Sequence, residues 1–553
     1  MTGRTDRQVN PISKEALGAV RTYHQGTKHH IQRFAPGPGY LDWDSQPDPF
    51  RRYRGAPLIA LEKVPPTEEP RYDDAFVEGR NPAVSLSRHS VSQLFFDSLA
   101  ISAWKGMGGA RWALRVNPSS GNLHPTEGYL LCGRVDGLCD VPMVCHYAPR
   151  EHALEVRAHV GTTLWEELLQ GYPPDTLFVG LTSIFWREAW KYGQRAYRYC
   201  QHDIGHAIGA VAIAAAALGW QARLMDDLGT AELARLLGTD RPHAAEPEEP
   251  EVLVAVGPRA GEITERTFAE HAVQRFAGLA WNGTPSSLSP DHLDWGMDAP
   301  AAAARRPRGA GARAPSQQTQ QPGSLPARPV SLRSVIRQRR SAVAMDGQTR
   351  IDRDLFYGML NRTVPSQGQI PFSALPWSAR VHLAIFVHRV DRLPPGLYLL
   401  VRDHAQRSGL EAACTRAGPW VRPPGCPGDL DLWILEQSDM RNTARAISCT
   451  QDIASDGCFS LGMLAEFDHP LERHGAWVYP RLFWEAGAIG QVLYLEAEAA
   501  AIRSTGIGCY FDAAMHDVLG LEDSTYQDVY HFTVGGPVED PRLTTLPAYP
   551  DAR

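Results

Sequence analysis

The sequence predicts two copies of one helix-and-strand domain, packed against each other as a pseudo-dimer within a single chain. Two observations carry this expectation. The first is an internal repeat. AIGAVAIAAAALG begins at Ala207 and AIGQVLYLEAEAAAI at Ala488, an offset of 281 residues. DDLGTAELARLLG ends at Gly238 and FDAAMHDVLG at Gly520, an offset of 282. VLVAVGP places Gly257-Pro258 where HFTVGGP places Gly536-Pro537, an offset of 279. Each half therefore runs through a small-residue helix, a short helix opened by acids, and a strand stopped by Gly-Pro. The second observation is a break between the halves. Residues 299–330 read APAAAARRPRGAGARAPSQQTQQPGSLPARPV, with Leu325 the single large apolar side chain. Such a segment buries too little surface to offset its ordering entropy, which predicts a disordered linker. The expected units are an irregular N-terminal arm at 1–79, a first domain at 80–298, the linker at 299–330 and a second domain at 331–553.

Composition narrows the function. The chain has 553 residues, 43% hydrophobic and 21% charged, enough for sizeable cores. Acidic residues outnumber basic ones, 62 to 55, for a net charge of -7, which excludes a generally basic nucleic-acid binder. The longest apolar run, AIGAVAIAAAALGW, is too short to span a bilayer and follows Asp203 and His206. The N-terminus shows no apolar signal segment. A soluble, cytoplasmic protein is expected, with no membrane or nucleic-acid partner. Nine scattered cysteines form no C-x-x-C and no zinc spacing, and no H-E-x-x-H occurs, so reduced thiols and no metal are expected.

The elements follow in chain order. The arm YHQGTKHHIQRFAPGPGYLDWDSQPDPFRRYRG reads as an irregular, packed wrap, because its Tyr and Trp side chains need cover. Arg88-His89-Ser90 abuts the helix VSQLFFDSLAISAW and reads as its N-cap region. GMGG at 106–109 lacks the Lys-Ser/Thr of a P-loop. In RVNPSSGNLHPTEGYLL, Pro118 and Gly121 shape a turn that puts Ser119, Ser120 and Asn122 on one loop before a strand. Such a loop could hold the polar edge of a planar heterocycle, or be an ordinary turn. The helices at 207 and 488 are scaffold: Ala and Gly permit close approach, and Ile208, Val211 and Leu218 supply apolar area. In SVIRQRRSAVAMDG, Arg339, Arg340 and Ser341 suit a phosphate through forked, permanently charged donors, or form a solvated helix end. Cys449 and Cys458 read as buried structural thiols.

Together these strings resemble the flavin-dependent nitroreductase-like superfamily, and within it the SagB/ThcOx branch of azoline dehydrogenases. PSSGNLHP is similar to that superfamily's P-S-S-x-N-x-Q-P loop, with His124 in place of Gln. Arg339-Arg340-Ser341 resembles its phosphate-binding motif, although Val343 stands where a further basic residue is usual. GIGCYFD resembles the segment lying along the flavin ring, and VGGPVEDPRL places Arg542 where a C-terminal basic residue reaches the phosphate. Lys191-Tyr192, in REAWKYGQRAYRYCQHDIGHA, resembles the branch's Lys-Tyr proton-removing dyad.

The resemblance implies an α+β fold, with two tandem nitroreductase-like mixed-sheet sandwich domains and FMN bound between them. The implied cofactor contacts are Asn117, Pro118, Ser119, Ser120, Asn122, Arg339, Arg340, Ser341, Gly506, Gly508 and Arg542. The implied chemistry is dehydrogenation of an azoline-type heterocycle on a peptide or small molecule, with hydride passing to flavin N5 and Lys191 and Tyr192 catalytic. Arg187, Arg195 and Arg198 are expected to tune that dyad toward neutrality. The alternatives are an NAD(P)H-dependent nitro or quinone reductase, and a redox-inactive flavin-binding scaffold in a biosynthetic complex. A cyclodehydratase-type complex is the implied partner, and the internal pseudo-dimer implies a monomer. VPSQGQIPF, the second half's counterpart of the loop, lacks S-x-N, so one good flavin site per chain is expected.

Overall fold

The computed structural model describes residues 12–241, 246–263, 267–311 and 328–549. Two large sheets organise it. The first runs, edge to edge, Leu58–Ala60, Ala153–His159, Met143–Ala148, Thr126–Cys132, Leu177–Ser183, Glu249–Gly257 and Gln221–Leu224. The second runs Leu432–Glu436, Gly396–Leu400, Val381–Val387, Phe459–Glu466, Tyr526–Gly535 and Arg503–Ile507. Neighbouring strands are antiparallel in both. From their second and first members respectively, the two orders correspond strand for strand, so the sequence repeat is a structural repeat. Both short helices of the repeat, Thr230–Leu237 and Ala514–Leu519, end on a left-handed glycine, Gly238 (φ 70°) and Gly520 (φ 75°). Only glycine takes that conformation without a Cβ penalty.

The small-residue helices Ala196–Ala217 and Tyr479–Ala499 cross each other at the centre of the molecule. A Cβ on Gly205 would stand 2.3 Å from the Trp484 carbonyl oxygen, and one on Gly487 would stand 2.2 Å from that of His202. The glycines therefore let two backbones touch, and the flanking Ile208, Val211 and Leu218 are buried. The C-terminal strand Thr544–Leu546 crosses back to the first half and pairs with Ile101–Met107, locking the halves together.

Three expectations change here. The arm is not wholly irregular: Lys14–Gly26 is a helix whose N-cap Ser13 accepts from the Ala16 amide. Its His24 lies 3.2 Å from both Tyr479 Oη and Gln527 Oε1, yet Tyr40 is 82% exposed and Trp43 66%, so these aromatics do not require the cover assumed for them. The helix after Ser87 stops at Phe96, and Ile101–Met107 is a strand, paired with Ala110–Arg115 through the Gly108-Gly109 turn. Cross-strand pairing there outweighs any continuation of the helix. Ser87 and Ser90 form the capping box of that helix. Of the expected linker, 312–327 lies outside the described residues. Its first part is not disordered: Asp298–Ala303 is helical, and the Arg306 Nε donates to the Leu228 carbonyl at 2.5 Å. After the gap, Arg328 pairs with Asp73 and Glu496.

Candidate functional site

A cavity of about 490 Å³ opens between the halves, within the range of small-molecule sites. The first half contributes the loop 117–122 with Tyr192, Tyr199 and Asp203, and the second contributes 339–343, Tyr494, Arg503 and 505–509.

The loop holds an unusual path, with Gly121, Asn122 and His124 all left-handed (φ 59°, 60° and 54°). Its polar side chains fasten it. Ser119 Oγ accepts from the His124 amide at 2.8 Å, and Asn122 Nδ2 donates to the Ala113 carbonyl at 2.9 Å. Ser120 donates to the Asp203 carboxylate from its amide at 3.0 Å and its hydroxyl at 3.1 Å. Ser119, Ser120 and Asn122 thus shape the wall, while the buried Asn117 Oδ1 is left without a partner.

Across the cavity, the helix Leu332–Gln338, capped by Ser331, delivers Arg339, Arg340 and Ser341. Arg339 spends Nη2 on the Arg115 carbonyl at 3.0 Å, and its buried Nε and Nη1 have no partner. Arg340 donates to the carbonyls of Arg337 and Arg339 at 2.7 and 2.6 Å. Burial lowers Arg339 from the usual guanidinium range, and burial followed by the Arg339 charge brings Arg340 down to about 10. A phosphate-class dianion fits such a pair: it accepts the spare N–H groups and offsets the repulsion. Ser341 Oγ lies 2.9 Å from Tyr494 Oη, which in turn accepts from the Gly506 amide at 3.0 Å. That hydroxyl couples the arginine motif to the 506–508 segment.

Gly506 and Gly508 are needed for close approach. A Cβ on Gly506 would sit 2.0 Å from Tyr530 Oη, and one on Gly508 would sit 2.5 Å from the Tyr199 ring. The Gly508 carbonyl accepts from Tyr199 Oη at 2.9 Å and Arg195 Nη2 at 3.2 Å, so the first half fixes this segment of the second.

Arg542 does not reach the site. Its side chain is 75% exposed and bound to Asp540, because a turn at 540–542 directs it outward. Arg503 and Lys105 line the cavity instead, Arg503 paired with Glu539 at 2.5 Å. Val343 stands on the same wall, 71% exposed.

Lys191 and Tyr192 close the helix Phe185–Tyr192, and Gly193 follows at φ 55°. The arm clamps this end, since Gln194 donates its amide to the Pro36 carbonyl at 3.0 Å. Both side chains converge on the loop: a Cβ on Gly121 would lie 2.5 Å from Tyr192 Oη and 3.2 Å from Lys191 Nζ. The three arginines expected to tune the pair are engaged elsewhere. Arg187 binds Glu127 at 2.5 Å, and Arg195 and Arg198 bind Asp512 at 2.9 and 2.5 Å. Burial and then the Glu188 carboxylate push Tyr192 well above the ordinary phenol value, so its hydroxyl keeps its proton at neutral pH.

Two carboxylates missed in the sequence complete the cluster. Glu188 is fully buried, and burial followed by the Asp203 charge raises it well above the usual range, against an opposing hydrogen bond from Ser119. Burial lifts Asp203 from 3.8 to about 7, against the opposing bonds from Ser119 and Ser120. The signal for Glu188 was its position three residues before Lys191. Asp203 sat in the helix taken as scaffold.

A raised carboxyl has a stability signature. Between pH 4 and 7 the folded Asp203 retains a proton that the unfolded chain releases, so stability falls as pH rises through this window and levels off above it. The loss is at most about 4 kcal/mol. Asp203→Asn, which keeps an acceptor for Ser120, should reduce that slope in unfolding experiments at pH 5 and 8, the remainder coming from Glu251, which burial also lifts to about 7. An unchanged slope would show that another group titrates there.

Residues 107–258 match the profile of the nitroreductase family. A candidate nitroreductase from Anabaena variabilis shares its fold, with a TM-score of 0.65 and 21% identity over 94% of this chain and 99% of that one. Structures of lower similarity include a candidate nitroreductase from Ralstonia eutropha, at 16% identity over 40% of this chain and 96% of that one (TM-score 0.26). Another is a chain of the Escherichia coli microcin synthetase complex with truncated pro-MccB17, at 18% over 44% and 93% (TM-score 0.26). No curated protein matches the chain. The matched segment includes the loop 117–122, Lys191, Tyr192 and both carboxylates. The arginine motif and the 506–508 segment lie outside it, in the second half.

Proposed function

We propose that the protein is an FMN-dependent oxidoreductase with one flavin site, built from both halves. The observation that carries this reading is Arg339: buried on the cavity wall with unpaired N–H groups beside a second guanidinium, opposite the loop of the nitroreductase-family domain. Arg339, Arg340 and Ser341 hold the phosphate in this reading, and Asn117, Gly506 and Gly508 border the ring. FMN, when bound, supplies the two-electron acceptor.

The substrate we favour is an azoline-type heterocycle on a peptide or small molecule, placed against Tyr192 and Lys191. There the chain's own task is to take a carbon-bound proton. Tyr192 keeps its own proton and so orients the substrate by donating a hydrogen bond. Lys191, or Asp203 through the loop, receives the one removed. A second reading, reduction of nitro or quinone compounds with NAD(P)H, is favoured by the same protonated Tyr192, which suits a proton donor.

The second half's counterpart loop at 364–372 is occupied by the first half, since the Ile370 amide donates to the Phe76 carbonyl and the Glu78 amide to that of Gly368. Purified protein should therefore release about one FMN per chain, measured by absorbance of freed flavin against protein and identified chromatographically. Two flavins per chain, or FAD, would contradict the single composite site.

A further inference from the structure

Cys449 was expected to be a buried structural thiol, and it is not. It is half-exposed and faces Cys509, the residue after Gly508 on the cavity wall, with a sulfur–sulfur separation of 2.7 Å. That is well inside the contact distance of two independent thiols. The two cysteines come from different elements, one from the turn after the helix Arg441–Ile447 and the other from the end of the strand Arg503–Ile507. The backbone is arranged to bring them together. Cys449 and Thr450 are both left-handed (φ 53° and 58°), two consecutive non-glycine residues in a sparsely populated region, of the kind that clusters at functional sites. Gln451 Nε2 then donates to the Cys509 carbonyl at 2.9 Å and ties the turn to the strand end.

We infer that Cys449 and Cys509 form a thiol–disulfide centre on the cavity wall whose substrate class is small-molecule disulfides. It requires no flavin. Cys509 is the attacking thiol, because it lines the cavity and Cys449 stands behind it, and the hydrogen bond with Cys449 together with the Arg195 guanidinium lowers it from the ordinary thiol value. Cys509 sulfur attacks one sulfur of the incoming disulfide, forming a mixed disulfide and expelling the first thiolate. Cys449 sulfur then attacks Cys509 sulfur, forming the Cys449–Cys509 bond and expelling the second thiolate. The two cysteine protons go to the two leaving thiolates, so two cysteines are oxidised and one disulfide is reduced to two thiols.

The molecule contains its own comparison. Cys132 and Cys139 are 3.9 Å apart, but Cys132 is buried, Cys139 turns to the Gly133 carbonyl, and neither lines the cavity. Half-exposed Cys426 has no cysteine partner and faces the Pro427 and Leu430 carbonyls.

The full-length reduced protein is incubated with glutathione disulfide, alkylated and digested for mass spectrometry. The expected product is a peptide pair linked Cys449 to Cys509, lighter by two hydrogens and released by dithiothreitol. Cys449→Ser should instead trap glutathione on Cys509, and Cys509→Ser should leave Cys449 largely unmodified. Cys132→Ser should not change the Cys449–Cys509 product. The inference is overturned if the cross-link does not form, or if Cys426 takes up glutathione as fast as Cys509 does in the Cys449→Ser protein. Flavin content is recorded in parallel, so failure of this centre and failure of the FMN reading are separately visible.

Discussion

Lys191→Ala should lower substrate turnover about 10²–10⁴-fold, the usual contribution of a positioned acid–base group, while the protein keeps its flavin colour. Lys191 Nζ converges with Tyr192 Oη on Gly121, and the arginines nearby in sequence, Arg187, Arg195 and Arg198, are committed to Glu127 and Asp512. None of these three is therefore placed to replace Lys191 at this point of the loop. Tyr192→Phe tests the donor role separately. It deletes a hydroxyl that burial and the Glu188 charge keep protonated, so turnover should fall without loss of the pH dependence set by the remaining groups. The control is reduction by dithionite, which needs no proton-transferring side chain and should be unchanged in both variants. If both variants retain full dehydrogenase turnover with normal flavin content, the dyad has no catalytic part and the azoline reading loses its main support.

Arg339→Ala should release the flavin. Loss of a charged hydrogen-bonding contact costs on the order of 1.5–3 kcal/mol, or roughly ten- to a hundredfold in affinity. Arg339 is a better target than Arg340, because Arg340 already donates to two backbone carbonyls whereas two of the three Arg339 nitrogens are unpartnered. Asn122→Ala on the other half should cost less, about 0.5–1.5 kcal/mol, through loss of the bond to the Ala113 carbonyl that holds the loop. Arg542→Ala should leave affinity unchanged. Fluorescence titration of the flavin-free protein with FMN reads all three. An Arg339→Ala protein that binds FMN as tightly as the parent would remove the phosphate assignment.

What the sequence determined by itself is whatever is encoded locally or by periodicity. The repeat was legible because its signals are short-range: glycine caps at Gly238 and Gly520, strand ends at Gly257 and Gly535, and Ala/Gly helix faces, all at a near-constant offset. The loop at 117–122 and the arginine motif were legible for the same reason, since each is a run of adjacent residues with a fixed chemical meaning. The tertiary structure decided everything that depends on which distant side chain lies opposite. Arg187, Arg195 and Arg198 sit close to Lys191 in sequence, but helical geometry turns them to Glu127 and Asp512, and Asp512 is more than three hundred residues away. Arg542 fits a motif by position, and one turn sends it into solvent. Asp203 and Cys509 carry no sequence signature, and Glu188 only its place three residues before Lys191, because what makes them unusual is burial and a partner supplied by another element. A carboxyl near neutrality, or a thiol beside a second sulfur, arises only when folding removes water and brings separate segments together.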